Sequence, residues 1–204
     1  MQPPSPGASS ETWFAVYFVM TLEPLPLAGA FRVKFPRFDD QRGYFRRTFS
    51  REIFAGAGLA DCTLECSLAF NARRGTLRGM HFQRAPHGET KFIYAVSGAV
   101  FDVILDLRPH SATYGRWHAE ELSSENTMAL YVPRDFAHGY LTLTDAAIVA
   151  YQMDTPYVPS AASGVAWNDP EIGIAWPFAP LVIGARDRTW PGLRALTPAE
   201  PSGS

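Results

Sequence analysis

The 204 residues carry 18 Lys and Arg against 20 Asp and Glu, a near balance with no basic run, which argues against a general nucleic-acid binder and leaves room only for a small, locally held anion. The length suits one all-β domain with a sizeable core. Two cysteines, Cys62 and Cys66, lie four apart in a strand-like stretch; on one face but too far apart to bridge comfortably, and too few for a zinc site, they are expected as free thiols in a reducing compartment.

The chain opens on a Pro/Ser/Gly-rich stretch that is expected to be disordered. The apolar run from Trp13 to Met20 is too short to span a membrane, and no Lys or Arg precedes it. A cytoplasmic protein with neither membrane nor nucleic-acid partners is expected. Residues 1–20 read as an extension or mis-assigned start, 21–178 as the folded domain, and 179–204 as a C-terminal segment ending in a loose tail.

From Ala30 onward short strands alternate with turn signals: 31–35, a turn at 39–43, then 44–49. Ser50 is placed to cap a short helix over 51–57, ended by Gly58. Further strands are legible at 63–70, 77–83, 91–96, 99–107, 116–122, 128–132, 138–143 and 148–153. The clearest alternation puts Phe101, Val103, Leu105 and Leu107 on one face and Asp102 and Asp106 on the other. Many short strands with one small helix indicate a sandwich or barrel, and no repeat, GxGxxG or P-loop is present.

Chemistry gathers in Gly75-Thr76-Leu77-Arg78-Gly79-Met80-His81-Phe82-Gln83 and its continuation to Lys91. Arg78 is a planar donor suited to phosphate, Gly79 allows close approach of a ligand or backbone, and Gln83 and Lys91 bracket a histidine. Other polar residues interrupt apolar strands: His138 after a turn, and Tyr151 within Ile148-Val149-Ala150-Tyr151-Gln152. Taken singly, His81 and Tyr151 read as satisfied core residues, and Asp187, between Arg186 and Arg188, as a solvated surface charge.

Taken together, Arg42-Gly43-Tyr44-Phe45, Leu77-Arg78-Gly79-Met80-His81-Phe82-Gln83, Lys91, Ser111-x-Thr113-Tyr114-Gly115-x-Trp117, Pro133-x-x-Phe136-Ala137-His138-Gly139 and Trp167-Asn168-Asp169-Pro170-x-x-Gly173-Ile174-x-Trp176-Pro177 resemble the dTDP-4-dehydrorhamnose 3,5-epimerase family over about Leu22 to Leu193. The resemblance implies an all-β cupin-type jelly roll, a homodimer exchanging an N-terminal strand, and a site without metal or other cofactor acting on a nucleoside-diphospho-4-keto-6-deoxy sugar. It implies His81 as base, Asp187 orienting its imidazole, Tyr151 as proton donor on the opposite face and Lys91 beside the keto oxygen. Arg78 and His138 match residues that hold the diphosphate and shape the sugar pocket. Arg42 and Phe45 match residues reaching in from the partner chain, and Gln83, Arg47 and Arg186 complete the expected substrate-binding set. A C4 ketone acidifies the hydrogens on C3 and C5, so inversion needs a base on one face, an acid on the other and a cation near the enolate oxygen.

The departures fall at the nucleotide end. Arg47 stands where the family carries a glutamate, Cys66-Ser67-Leu68 where it has Gln-x-Asn, and Ala162 where a glutamate precedes Trp-Asn-Asp. A carboxylate accepts from thymine N3–H, whereas Arg can only donate. Cytosine or guanine is therefore expected as an alternative base. Two rival functions stay open: a metal-dependent cupin oxygenase or isomerase using His81, His87, Glu89 and His138, and a sugar-nucleotide-binding jelly roll without catalysis. His87, His110 and His118 otherwise read as surface or loop residues.

Overall fold

The structure, a computed structural model, describes residues 20–196. The disordered start expected over 1–20 therefore lies outside the described residues except for Met20, which is buried; the loose tail over 198–204 also lies outside them.

Fourteen strands are described. The first four are short: β1 (Thr21–Pro24), β2 (Phe31–Lys34), β3 (Arg37–Asp40) and β4 (Gly43–Arg46). Helix α1 (Arg51–Gly56) separates them from β5 (Glu65–Asn71), β6 (Thr76–Gln83), β7 (Lys91–Ser97), β8 (Ala99–Asp106), β9 (Trp117–Ser123), β10 (Met128–Val132), β11 (Phe136–Thr142) and β12 (Ala147–Met153). Two short strands, β13 (Ala162–Gly164) and β14 (Val182–Ile183), close the series. One sheet runs β1-β2-β10-β7-β12-β5 and the other β13-β6-β11-β8-β9, with β14 joining β6 in parallel. Two sheets face to face with non-sequential neighbours make the cupin jelly roll, and β3–β4 forms a two-stranded sheet of its own.

Period-two alternation separates three apolar layers. Ile93 and Ala95 of β7, Val149 of β12, Val100 and Ile104 of β8 and Phe136 and Tyr140 of β11 fill the space between the sheets. Residues of opposite parity face outward. Phe92 and Tyr131 meet Phe54 of α1 and Phe35, with Phe54 and Phe92 edge-on at 5.1 Å. Met80, Val103, Leu105 and Ala137 are covered by Ile172 and Trp176. Both faces of the central strands are therefore buried, which is why Asp102 and Asp106, on the polar face of the clearest strand, are fully enclosed.

Three local expectations are corrected. Ser50 occupies the N-cap position in extended conformation but makes no side-chain cap hydrogen bond; the helix stops at Gly56, two residues before Gly58 (φ +70°). Cys62 precedes β5 and is fully buried, while Cys66 lies exposed on β5, so the two free thiols do not share a face. His118 is no loop residue: it sits on β9 and meets Glu120, which also holds Arg32 of β2 across the two sheets. Among the described residues no helix is long and apolar enough to cross a membrane.

Candidate active site

Strand β6 carries an irregularity that creates the site. Arg78 pairs with Tyr140 of β11 and His81 with His138, so the four residues 78–81 of β6 are matched by the three residues 138–140 of β11. In a regular strand Arg78 and His81 would point to opposite faces; this bulge turns both toward the interior. Gly79 permits it, with φ +141°, and a Cβ there would lie 2.5 Å from the Cα of Gly139. The close backbone approach expected of Gly79 is what the structure shows.

The result is a cavity of about 480 Å³ between the sheets, within the range that takes a small ligand. The second sheet contributes Arg78, His81, Phe82 and His138; the first contributes Lys91, Tyr151, Met153, Ser67 and Ala69. His81 and Tyr151 thus belong to opposing walls of one cavity. Tyr157, Ala162, Ser163 and Arg186 also line it.

Two histidine–aspartate pairs face this space. His81 Nε2 lies 2.6 Å from Asp187 Oδ1, and Asp187 Oδ2 accepts from the Gly79 N–H at 3.2 Å. Asp187 is no solvated surface charge: a 3-10 turn at Arg186–Arg188 delivers it to β6, and it is buried. Burial works to raise its carboxyl, but the His81 hydrogen bond and charge, the Gly79 N–H and the nearby Trp190 indole outweigh that and hold it below the ordinary carboxylate range. With a carboxylate engaging Nε2, the neutral imidazole keeps its proton there and presents Nδ1 as the basic nitrogen.

The second pair is His138 Nε2 with both oxygens of Asp102, at 3.1 and 2.9 Å. Complete burial pushes Asp102 above the ordinary carboxylate range, against the opposing pull of His138 and Lys91.

Lys91 is buried, donating from Nζ to the His81 carbonyl at 3.2 Å and pairing with Glu89 at 2.9 Å. Arg78 Nε donates to Asn71 Oδ1 at 2.8 Å. Tyr140 meets the same amide, and its phenol is pushed up to about 12 by burial.

Other expected contacts are relocated. Gln83 reaches the cavity wall, but its amide is consumed: it donates to the His87 and Pro156 carbonyls and Glu89 Oε2, and accepts from the Val158 N–H at 2.7 Å. It braces the wall and has no amide hydrogen left for a ligand. Arg47 lies outside the cavity, in a separate shallow recess with Phe35 and Tyr94. Arg42 and Phe45 are exposed on the β3–β4 hairpin, with Arg42 paired to Asp40 at 2.5 Å, and do not enter this chain's own cavity. Arg186 does line it, stacked over Trp190 with Cζ 4.8 Å from the ring.

Among the described residues no three His, Cys, Asp or Glu side chains are grouped to hold a metal. Of the nominated ligands, His81 is held by Asp187, His138 by Asp102 and Glu89 by Lys91 and Gln83.

Asp102, Glu89, Asn71 and Trp190 were not marked in the sequence as supports of the site. For Asp102 a signal existed, a carboxylate within a strand whose other face is wholly apolar. For Trp190 none did, because it lies in a stretch without periodicity.

The family profile described as dTDP-4-dehydrorhamnose 3,5-epimerase matches residues 24–195. A dTDP-4-dehydrorhamnose 3,5-epimerase of Methanothermobacter thermautotrophicus is 42% identical over 172 residues, covering 82% of this chain and 91% of that protein. The Bacillus anthracis dTDP-4-dehydrorhamnose 3,5-epimerase with TDP and PPi bound superposes with a TM-score of 0.82 at 35% identity, covering 85% of this chain and 99% of that one. A 3'-monoepimerase from Streptomyces bikiniensis in complex with dTDP-quinovose gives a TM-score of 0.79 at 34% identity, covering 84% and 87%. With its jelly roll, its cavity and this similarity along nearly the whole described chain, the protein belongs to the dTDP-4-dehydrorhamnose 3,5-epimerase family, whose members are isomerases of nucleotide sugars.

Proposed function

We propose that the cavity takes a dTDP-linked 4-keto-6-deoxyhexose and inverts C3 and C5 through enolates. The observation that carries this is the placement of His81, oriented by Asp187, on one wall and Tyr151 on the wall opposite. His81 Nδ1 removes the proton α to the ketone, Lys91 offsets the charge that collects on O4, and the Tyr151 hydroxyl returns a proton from the other face. His138 and Arg78, both on the second sheet, hold the diphosphate. An acid and a base on facing walls are superfluous to a mere binder.

Arg47, the residue suited to cytosine or guanine, stands outside the cavity of its own chain. Thymine is the base that the relatives support. Inversion of both carbons follows the 3,5-epimerases; the 3'-monoepimerase marks the single-carbon variant as the competing outcome.

The working unit in this reading is a cytoplasmic homodimer, with Arg42 and Phe45 reaching the partner's nucleotide. β1 and β2 pair within their own sheet, so the reaching N-terminal element is the β3–β4 hairpin, which exposes Tyr44 and Phe45. The edge strand β5 exposes Leu68 and Phe70 as a second apolar surface. The two free thiols suit a reducing compartment.

The test is proton NMR in deuterium oxide with dTDP-, CDP- and GDP-4-keto-6-deoxy sugars. Deuterium should enter C3 and C5 of the dTDP sugar, and His81→Asn should slow this by about 10²–10⁴-fold, the usual worth of a general base. Wild-type exchange in that variant, or no exchange above background in the native protein, sinks the assignment.

A further inference from the structure

Trp190 meets three residues of the site at once, His81, Arg186 and Asp187. Its ring stands nearly perpendicular to the His81 imidazole, with centroids 6.2 Å apart and an interplanar angle of 73°. Arg186 stacks on it. Its indole N–H is buried and makes no hydrogen bond of good geometry, yet lies near enough to Asp187 to favour the ionised carboxylate.

A fourth contact is written into the sequence. Gly164 of β13 is the register partner of His81. A Cβ on Gly164 would lie 2.5 Å from Cε2 and 2.6 Å from Cδ2 and Nε1 of Trp190. No side chain fits there while the indole is in place. The chain next to the indole is tied to the segment that follows β13, because the Ala166 N–H donates to the carbonyl of Pro191, the residue after Trp190, at 2.8 Å.

We infer that Trp190 is a positioning residue for the proposed base, an indole wedge that fixes the His81 ring against Asp187, and that position 164 is glycine to admit it. The inference rests on the reading of His81 given above. A single bond from Nε2 to Asp187 leaves the imidazole able to tilt about that axis. An edge-to-face aromatic contact restrains the tilt, and an error of about 1 Å in the position of a reacting nitrogen costs on the order of 10²-fold in rate.

The experiment is a double-mutant cycle on the full chain, read by deuterium wash-in, KM and the pH profile of kcat/KM. Trp190→Ala should slow wash-in by about 10–100-fold. Gly164→Ala alone, which pushes the indole out, should slow it similarly. Together the two losses should not multiply, because residues that share one contact are non-additive. Trp190→Phe keeps an aromatic edge but removes the N–H; Asp187 then shares its charge between His81 and the Gly79 N–H only, and the acid limb of kcat/KM should move to higher pH. This conservative variant keeps the test sharp if Trp190→Ala fails to fold.

KM is the separate readout of the Arg186 contact. Losses at 164 and 190 that multiply independently, or a Trp190→Ala variant that melts earlier but exchanges deuterium at the wild-type rate and pH profile, would overturn the inference. His81→Asn run alongside tells the two failures apart. A dead His81→Asn with intact Trp190→Ala removes only the wedge, whereas an active His81→Asn removes the base itself.

Discussion

The two histidine–aspartate pairs lie opposite each other on neighbouring strands of one sheet, His81 on β6 in register with His138 on β11, yet their carboxylates sit in opposite electrostatic conditions. Asp187 arrives from a C-terminal turn and collects His81, the Gly79 N–H and the Trp190 indole, so it stays anionic in spite of burial. Asp102 projects from the middle of β8 into the closed interior, where burial dominates and His138 and Lys91 only partly offset it. The same two residue types therefore give two different instruments. A carboxylate that is firmly ionised can stabilise an imidazolium that comes and goes during turnover, as the proposed base requires. A carboxylate that ionises only at a cost, offset in part by His138 and Lys91, serves instead to fix the His138 ring in the cavity wall, which suits a residue that holds a diphosphate.

The largest effect expected from this contrast is kinetic. Asp187→Asn should lower kcat by about 10²–10⁴-fold with little change in KM, because the amide favours the wrong tautomer and cannot stabilise the imidazolium. Asp102→Asn should instead raise KM about tenfold and spare kcat, since a contact equal in ground and transition states affects binding alone. Steady-state kinetics of both variants with one substrate decides it, and an exchange of the two phenotypes would reverse the assignment of base and anion holder.

A smaller effect is expected one layer out. Glu89 is held between Lys91 Nζ and the Gln83 amide, each at 2.9 Å, and so fixes where the ammonium sits. Glu89→Ala should free the lysine and cost about tenfold in kcat, whereas Glu89→Gln, which keeps one hydrogen bond in place, should cost about threefold. Equal losses in both variants would show that the charge on Glu89, and not its geometry, is what Lys91 needs.

How far these pairs could be read from the chain follows from the same physics. The strands and a sandwich or barrel were legible from the two-residue alternation, and His81, His138 and Tyr151 stand out as polar residues interrupting it; the jelly-roll class and the place of Lys91 were legible through family resemblance. Asp187 was legible only through family resemblance, since its flanking arginines make it look solvated. The bulge at Gly79 was not legible: counting by twos from Arg78 puts His81 on the wrong face, and it is the extra residue in β6, admitted by glycine against Gly139, that reverses this. Gln83 reads as a ligand contact because the sequence shows its position on the strand but not the four partners that consume its amide. Trp190 lies beyond the last periodic strand, where one aromatic residue says nothing of what it packs against.

The smallest expected effect is on stability, and its sign separates the two pairs. Asp187 has a folded-state value below its unfolded one, so its contribution is fully present above the unfolded value, about 3.9, and is lost as pH falls through the lower folded value. Asp102 is shifted the other way: below the unfolded value both states are protonated, and as pH rises toward the folded value the unfolded chain ionises first and the fold loses stability. Urea unfolding between about pH 3 and 6, across the ordinary carboxylate range, should therefore show Asp187→Asn losing ground to the native protein as pH rises and Asp102→Asn gaining it. Difference curves that bend in the same direction would mean that the two carboxylates share one environment, and the division of labour between His81 and His138 would lose its physical basis.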